Sequence, residues 1–156
     1  SSSVDSGGRT RSVAVVGGGP AGVAACRFLR DAGHQPIVFE VGTEVGGIWA
    51  PEPMNKVVYR GLRTNIPTVA MQSSDLDFPK DLPSYVSGAD LGNYIVSYTE
   101  HFGLRPMIRF STEVLSVKRC APENTAGAAD SHGPGCDPRW QLRLRDVSGE
   151  FCEGFE

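Results

Sequence analysis

The sequence lacks the long apolar stretch that a membrane span needs. No run approaches about 18 consecutive apolar residues, and no charged segment followed by an apolar one opens the chain as a secretory signal would. An excess of basic charge is missing too. Fifteen Lys and Arg against 18 Asp and Glu leave a formal charge of −3, which gives no reason to expect nucleic acid or an anionic membrane as a partner. Cysteine is sparse: Cys26, Cys120, Cys136 and Cys152 stand without metal-ligand spacing, so no metal site is expected. Free thiols in a reducing compartment, the cytoplasm, are the default, and Cys120 and Cys136 flank one loop and could pair only if oxidised. No nucleophile–base constellation stands out either, and His101, near the end of a helical stretch, has no triad to join.

What is present is concentrated in residues 13–22, Val-Ala-Val-Val-Gly-Gly-Gly-Pro-Ala-Gly. A short valine-rich run ended by glycines and followed by helix formers predicts a buried strand turning directly into a helix. Phosphate binding calls for such a turn: Gly17 permits the tight bend, Gly19 lets a pyrophosphate approach the backbone, and Gly22 lets helix and strand pack closely. Unpaired amides at the helix start, with the positive end of the helix dipole, then bind an anion without a basic side chain. Pro20 suits the first helical position, next to Ala21. The spacing predicts a helix over residues 21–32, with Ala21, Ala25, Phe28, Leu29 and Ala32 on its apolar face, Arg27, Arg30 and Asp31 elsewhere, and Gly33 as its stop. A strand over residues 36–39 ends in Glu40. An acid at that place in a βαβ unit accepts hydrogen bonds from ribose hydroxyls and repels a 2′-phosphate, so the expected ligand is FAD or NAD rather than NADP.

The 156 residues leave room for one domain, and a 40% hydrophobic content suffices for a core. Residues 1–11, polar and rich in Ser and Gly, read as a disordered leader, and residues 12–156 as an α/β, Rossmann-like βαβ unit with a parallel sheet, probed further along by a β-hairpin or meander insertion. Ser87 with Asp90 forms a capping-box start to a helix reaching residue 102, with Leu91, Tyr94, Ile95, Tyr98 and Phe102 on one core stripe and Gly103 as its stop. Residues 107–118 have strand character, and Trp140, Leu142 and Leu144 alternate with polar neighbours in a second strand. Residues 120–138, rich in Ala, Gly, Pro and Asp, read as a flexible insertion between them. A further strand starts at Phe151, so the parallel sheet is expected to be an incomplete domain.

Gly17 to Gly22, Glu40 and the run Gly46-Gly47-Ile48-Trp49 together resemble FAD-binding flavoproteins with two dinucleotide domains, and Gly-Gly-Ile-Trp is close to the form found in flavin-containing monooxygenases. Residues 58–67, containing Leu62-Arg63-Thr64-Asn65-Ile66-Pro67, and then Leu76-Asp77-Phe78-Pro79 sharpen the resemblance, the plant S-oxygenating branch being the nearest form. Flavoprotein disulfide reductases fit less well, because residues 48–54 contain no cysteine pair. The resemblance implies FAD as cofactor and NADPH as co-substrate. It implies diphosphate contacts at Gly17, Gly19, Pro20, Ala21 and Gly22, and a ribose contact at Glu40. It places a second flavin approach at Gly46, Gly47, Ile48 and Trp49, contacts at Arg63 and Thr64, and Asn65 beside the flavin ring. Val114, in Thr112-Glu113-Val114, is the candidate for reading the adenine edge. The implied reaction has NADPH reduce the flavin and O2 add to it as a hydroperoxyflavin, whose distal oxygen goes to a soft sulfur or nitrogen nucleophile. The second glycine motif and the Phe-x-Gly-x-x-x-His signature of the family are absent, so no residue is assigned to NADPH. Two alternatives stay open: another FAD enzyme, of amine-oxidase or reductase type, and a nucleotide-binding module without turnover.

Overall fold

A computed structural model describes residues 9–51, 57–59, 61–120 and 140–147, and the backbone of 151–155. Most of the proposed leader, at residues 1–8, and the proposed insertion, at 121–139 with Cys136, lie outside the described residues. The valine-rich run forms β1 (Ser12–Val16), and the glycines lead into α1 (Pro20–Asp31). After the turn at Gly33 comes β2 (Gln35–Phe39), parallel to β1 with Val15 opposite Val38. The chain then makes a long excursion through a 3-10 turn (Gly47–Trp49), the short α2 (Thr68–Met71) and α3 (Gly88–His101). It returns through a second 3-10 turn (Arg105–Met107) to β3 (Ile108–Arg109), which pairs parallel with the other side of β2. A separate antiparallel sheet in the order β4 (Thr112–Arg119), β5 (Trp140–Asp146), β6 (Phe151–Phe155) completes the described fold.

Alternation along β2 explains how these layers meet. Val38 points to one side of the parallel sheet and joins Val23 and Cys26 of α1, Ile95 and Tyr98 of α3, and Ile108 of β3 in one buried cluster. Phe39 points to the other side and packs on Leu142 and Leu144 of β5, with Val114 beside them. The sheet is therefore covered by helices on one face and by the antiparallel sheet on the other. Each fully buried side chain of this kind contributes about 1.5–3 kcal/mol relative to exposure. A third cluster of Phe78, Val86 and Tyr94, with the Phe78 and Tyr94 rings stacked 3.9 Å apart, fastens the excursion to α3.

Local signals in α3 act as expected. Ser87 Oγ accepts from the Asp90 amide at 3.1 Å and Asp90 Oδ2 accepts from the Ser87 amide at 3.0 Å, a reciprocal capping box. Tyr94, Ile95 and Tyr98 are buried, and Gly33 and Gly103 close the two long helices with positive φ of 84° and 60°.

Three expectations are corrected. The buried face of α1 carries Val23, Cys26 and Arg27, whereas Phe28 is 61% exposed and Ala21 and Ala32 also face out. Arg27 is drawn in by partners at the end of α3 and in the preceding loop that a helical pattern cannot show: its guanidinium stacks 3.7 Å from the Phe102 ring centroid, donates to the Tyr98 hydroxyl at 3.2 Å and pairs with Asp75. Residues 107–118 are not one strand. The chain turns a corner at Ser111, whose φ of 52° is held because its amide donates to Gly42 O and its carbonyl accepts from Val147 N. Trp140, finally, is 48% exposed, so the buried side of β5 rests on Leu142 and Leu144 alone among the described residues.

Among the described residues no helix is long and apolar enough to cross a membrane, and no group of His, Cys, Asp or Glu could hold a metal ion. The Cys26 thiol is fully buried, and burial pushes its pKa up, so it is a packing group rather than a nucleophile.

Two stability tests follow from this packing. A Cβ at Gly92 would stand 2.0 Å from the Trp49 carbonyl oxygen, so Gly92→Ala must push α3 away from the glycine turn. Denaturant unfolding is expected to show a loss of about 1–3 kcal/mol. For the ion pair, the hydrogen bond from Arg27, followed by that from Ser74, holds the Asp75 carboxyl below the usual range. Its contribution is present above the unfolded-state pKa and vanishes as pH falls through the depressed folded-state value. The difference in melting temperature between wild type and Asp75→Asn is accordingly expected to close on acidification from about pH 7 to about pH 2. A gap that stays constant would show that Asp75 stabilises by something other than its charge.

Candidate functional site

The C-terminal ends of β1 and β2 meet two glycine turns. Gly17 follows β1 with φ 93°, a conformation that suits glycine, and its amide donates to Phe39 O at 2.8 Å. Helix α1 sits directly on that bend: a Cβ at Gly22 would stand 1.9 Å from Gly17 O, so only glycine allows the approach. Gly19 is the N-cap of α1 and offers no side-chain cap, Pro20 opens the helix, and no acid stands in its first turn. The amides after Pro20 thus keep their positive potential unneutralised by a neighbouring carboxylate on the helix.

The second glycine turn lies against the first. The Gly46 amide donates to Gly18 O at 2.9 Å, and a Cβ at Gly47 would come within 3.3 Å of the Gly19 Cα. The two motifs, about thirty residues apart in sequence, share one cleft whose walls are backbone. Ile48 is exposed at 54%, while Trp49 is half-buried against the core beneath α3. Below them a clamp holds the 42–46 loop: Arg105 Nη1 donates to both Glu44 oxygens at 2.9 and 3.1 Å. Burial pushes the Glu44 carboxyl up, but Arg105 and the Val45 amide outweigh it and hold it below the usual range.

Glu40 lies beside the cleft, only 7% exposed. Its Oε2 accepts from the Gly18 amide at 2.5 Å and its Oε1 from the Gly42 amide at 2.7 Å. Its backbone is fixed as well, the amide donating to Arg109 O and the carbonyl accepting from Thr112 N, both at 2.9 Å. Sequence reasoning missed Gly18 as a member of this site. The signal was the third consecutive glycine: a Cβ there would stand 3.0 Å from Glu40 Oε2 and 3.2 Å from its Cγ.

The remaining candidates come from two other directions. Arg63 forms an antiparallel bridge with Ser87, Thr64 N donates to Val86 O, and Gly88 N to Leu62 O, which seats residues 62–64 at the start of α3. Gly88 in turn lies against Val58 and the Trp49 ring, so this segment reaches the second glycine turn by direct packing. Arg63 Nη1 is spent on Tyr85 O at 3.1 Å. Thr64 Oγ1 is buried with no hydrogen-bond partner among the described residues, and Asn65 is exposed. Val114 lies in β4, opposite Leu144, two residues beyond the amide that holds Glu40 O, and the ladder skips Leu115 before resuming at Ser116.

These residues fit an adenine dinucleotide. A Cβ at Gly19 would meet nothing nearer than the Gly47 Cα at 3.9 Å, so the backbone at the start of α1 is open to a ligand that a larger side chain would exclude. The amides at the start of α1 lack an acid in the first turn, and the Glu40 carboxylate, held on the neighbouring Gly18 amide, keeps unused lone pairs.

Comparison with known proteins gives the same direction. Residues 10–132 match the family described as flavin-binding monooxygenase-like. Flavin-containing monooxygenase FMO GS-OX-like 2 of Arabidopsis thaliana is 33% identical over 94% of this chain, which spans 34% of that relative. Flavin-containing monooxygenase 1 of Homo sapiens is 32% identical over 74% of this chain, covering 22% of its own length. The solved S-allyl-L-cysteine S-oxygenase of Allium sativum superposes with a TM-score of 0.70 at 26% identity, over 94% of this chain and 35% of that one. The chain therefore spans about a third or less of these relatives. With the glycine cleft, the buried acid and a family match over most of its residues, the chain belongs to the flavin-binding monooxygenase-like family.

Proposed function

We propose that this chain is the FAD-binding part of an NADPH- and O2-dependent monooxygenase that oxygenates soft sulfur or nitrogen nucleophiles. The observation that carries the reading is the double glycine turn, with Gly22 seated on Gly17 O and Gly46 tied to Gly18 O, beside an acid at the end of β2. When bound, FAD would supply the redox chemistry, accepting a hydride and activating O2 for transfer to the substrate. The protein's own part is to bind, orient and exclude water.

In this reading the amides of Ala21 and Gly22 at the start of α1 take the diphosphate, with Gly17 and Gly19 giving the backbone access and Pro20 shaping the first turn. Glu40 accepts from the adenosine ribose hydroxyls through the lone pairs that Gly18 and Gly42 leave free, and disfavours a 2′-phosphate by charge. The backbone at Val114, close to where Glu40 is anchored, meets the adenine edge. Gly46 and Gly47 let the flavin half of the cofactor pass close to the backbone, with Ile48 and Trp49 alongside. Arg63 and Thr64 hold the next segment, and Thr64 Oγ1, buried and unpartnered, is a hydrogen-bonding group left for the cofactor. Asn65, exposed just beyond them, offers its amide to the reacting edge of the ring. The family resemblance supports NADPH as the hydride donor, bound by residues elsewhere in the complete protein. The free thiols of Cys26 and Cys120 suit a reducing compartment, the cytoplasm.

Two substitutions in the complete protein test these roles. Gly19→Val should leave the far-ultraviolet dichroism unchanged yet weaken FAD by about a hundredfold or more, because its branches occupy the diphosphate cradle. Retention of flavin through gel filtration by this variant would refute the placement of the cradle. Asn65→Ala should keep FAD but uncouple the enzyme, lowering the yield of oxygenated product per NADPH consumed by about tenfold or more. A yield equal to that of wild type would remove Asn65 from the active centre.

A further inference from the structure

Resting on the FAD reading above, we infer that Glu40 is also a positioning residue for the diphosphate turn, so that recognition of the ribose and binding of the diphosphate are coupled through one carboxylate. The geometry that carries this is the pair of contacts at its two oxygens. Oε2 takes the Gly18 amide at 2.5 Å and Oε1 the Gly42 amide at 2.7 Å, in a site where the residue is 7% exposed. Hydrogen bonds to an ionised acceptor are about twice as strong as neutral ones, and the contact at the Gly18 amide is buried, where water is no ready substitute.

Gly18 is the hinge of the arrangement. Its amide is held by Glu40 and its carbonyl accepts from Gly46 at 2.9 Å, so both peptide groups flanking its Cα are directed by contacts outside the turn. Gly17 before it is tied to Phe39 O, and Gly19 after it caps α1. With the Gly18 peptide fixed, the orientation of the Gly19 backbone and of the first amides of α1 is set before any ligand arrives. Each carboxylate oxygen retains a second lone pair, which leaves room for ribose hydroxyls without releasing either amide. A ribose-binding acid whose only role was to meet hydroxyls would need neither contact.

The contrast between ADP and 2′,3′-dideoxy-ADP separates the two roles, because the second ligand keeps the diphosphate and lacks the hydroxyls. Calorimetric titration is made on the full-length protein freed of flavin, below the unfolding range of every variant. Glu40→Gln presents an NH2 group to one of the two amides and is expected to weaken dideoxy-ADP by about tenfold, as well as reducing the wild-type preference for ADP over dideoxy-ADP. A general loss of stability would not change that preference. Gly18→Ala keeps the carboxylate but displaces it, since its Cβ would stand 3.0 Å from Oε2, and it should weaken dideoxy-ADP similarly. Hydrogen exchange in peptides containing Gly18 and Gly42 should accelerate in ligand-free Glu40→Gln. Dideoxy-ADP affinity equal to wild type in both variants overturns the inference, whatever the exchange shows. Should wild type bind neither nucleotide, the FAD reading itself falls; unchanged exchange in that case also overturns the role of Glu40 in holding the turn.

Discussion

Everything near the cleft depends on how closely α1 approaches the end of β1. At Gly22 the helix backbone comes so near the Gly17 carbonyl that a Cβ would lie 1.9 Å from the oxygen. That contact sets the helix start over the turn, aims its amides into the cleft, and lets Val23 and Cys26 descend onto Val38 in the sheet. A one-residue change in where the helix begins would rotate its buried face by about 100° and lose both the proposed anion site and the packing.

The second constraint is that the parallel sheet is used on both faces. Val38 serves the helical side and Phe39 the side of β5, so neighbouring residues of β2 belong to different clusters. The chain reaches the second side through the corner at Ser111, whose backbone is tied to Gly42 and Val147. Because Thr112 then holds Glu40 O and Arg109 holds Glu40 N, the same corner that joins the two sheets also locks the acid beside the glycines. Fold and site are thus built from shared hydrogen bonds rather than from a scaffold with an appended pocket.

In the proposed reading the anion is held by backbone rather than by basic side chains. Arg27 of α1 and Arg63 and Arg105 of the excursion are engaged with Asp75, the Tyr85 carbonyl and Glu44. They fasten loops to helices. In that reading the helix amides and the glycine turns are left to meet the ligand.

Much of this was legible in the sequence because it is local. The bend at Gly17, the capping box at Ser87 and Asp90, and the stops at Gly33 and Gly103 are fixed by backbone sterics and hydrogen bonding within a few residues. The tertiary structure alone decided what depends on partners far along the chain. Arg27 is buried and Phe28 is not, because Phe102, Tyr98 and Asp75 lie where the arginine can reach them. Gly18 matters because Glu40, 22 residues later, folds back onto its amide. Residues 107–118 divide between two sheets because Ser111 finds hydrogen bonds at a corner that no periodicity marks. Sequence determined which residues could turn and cap; only packing decided which of them face one another, since a side chain's burial is set by what the rest of the fold places opposite it.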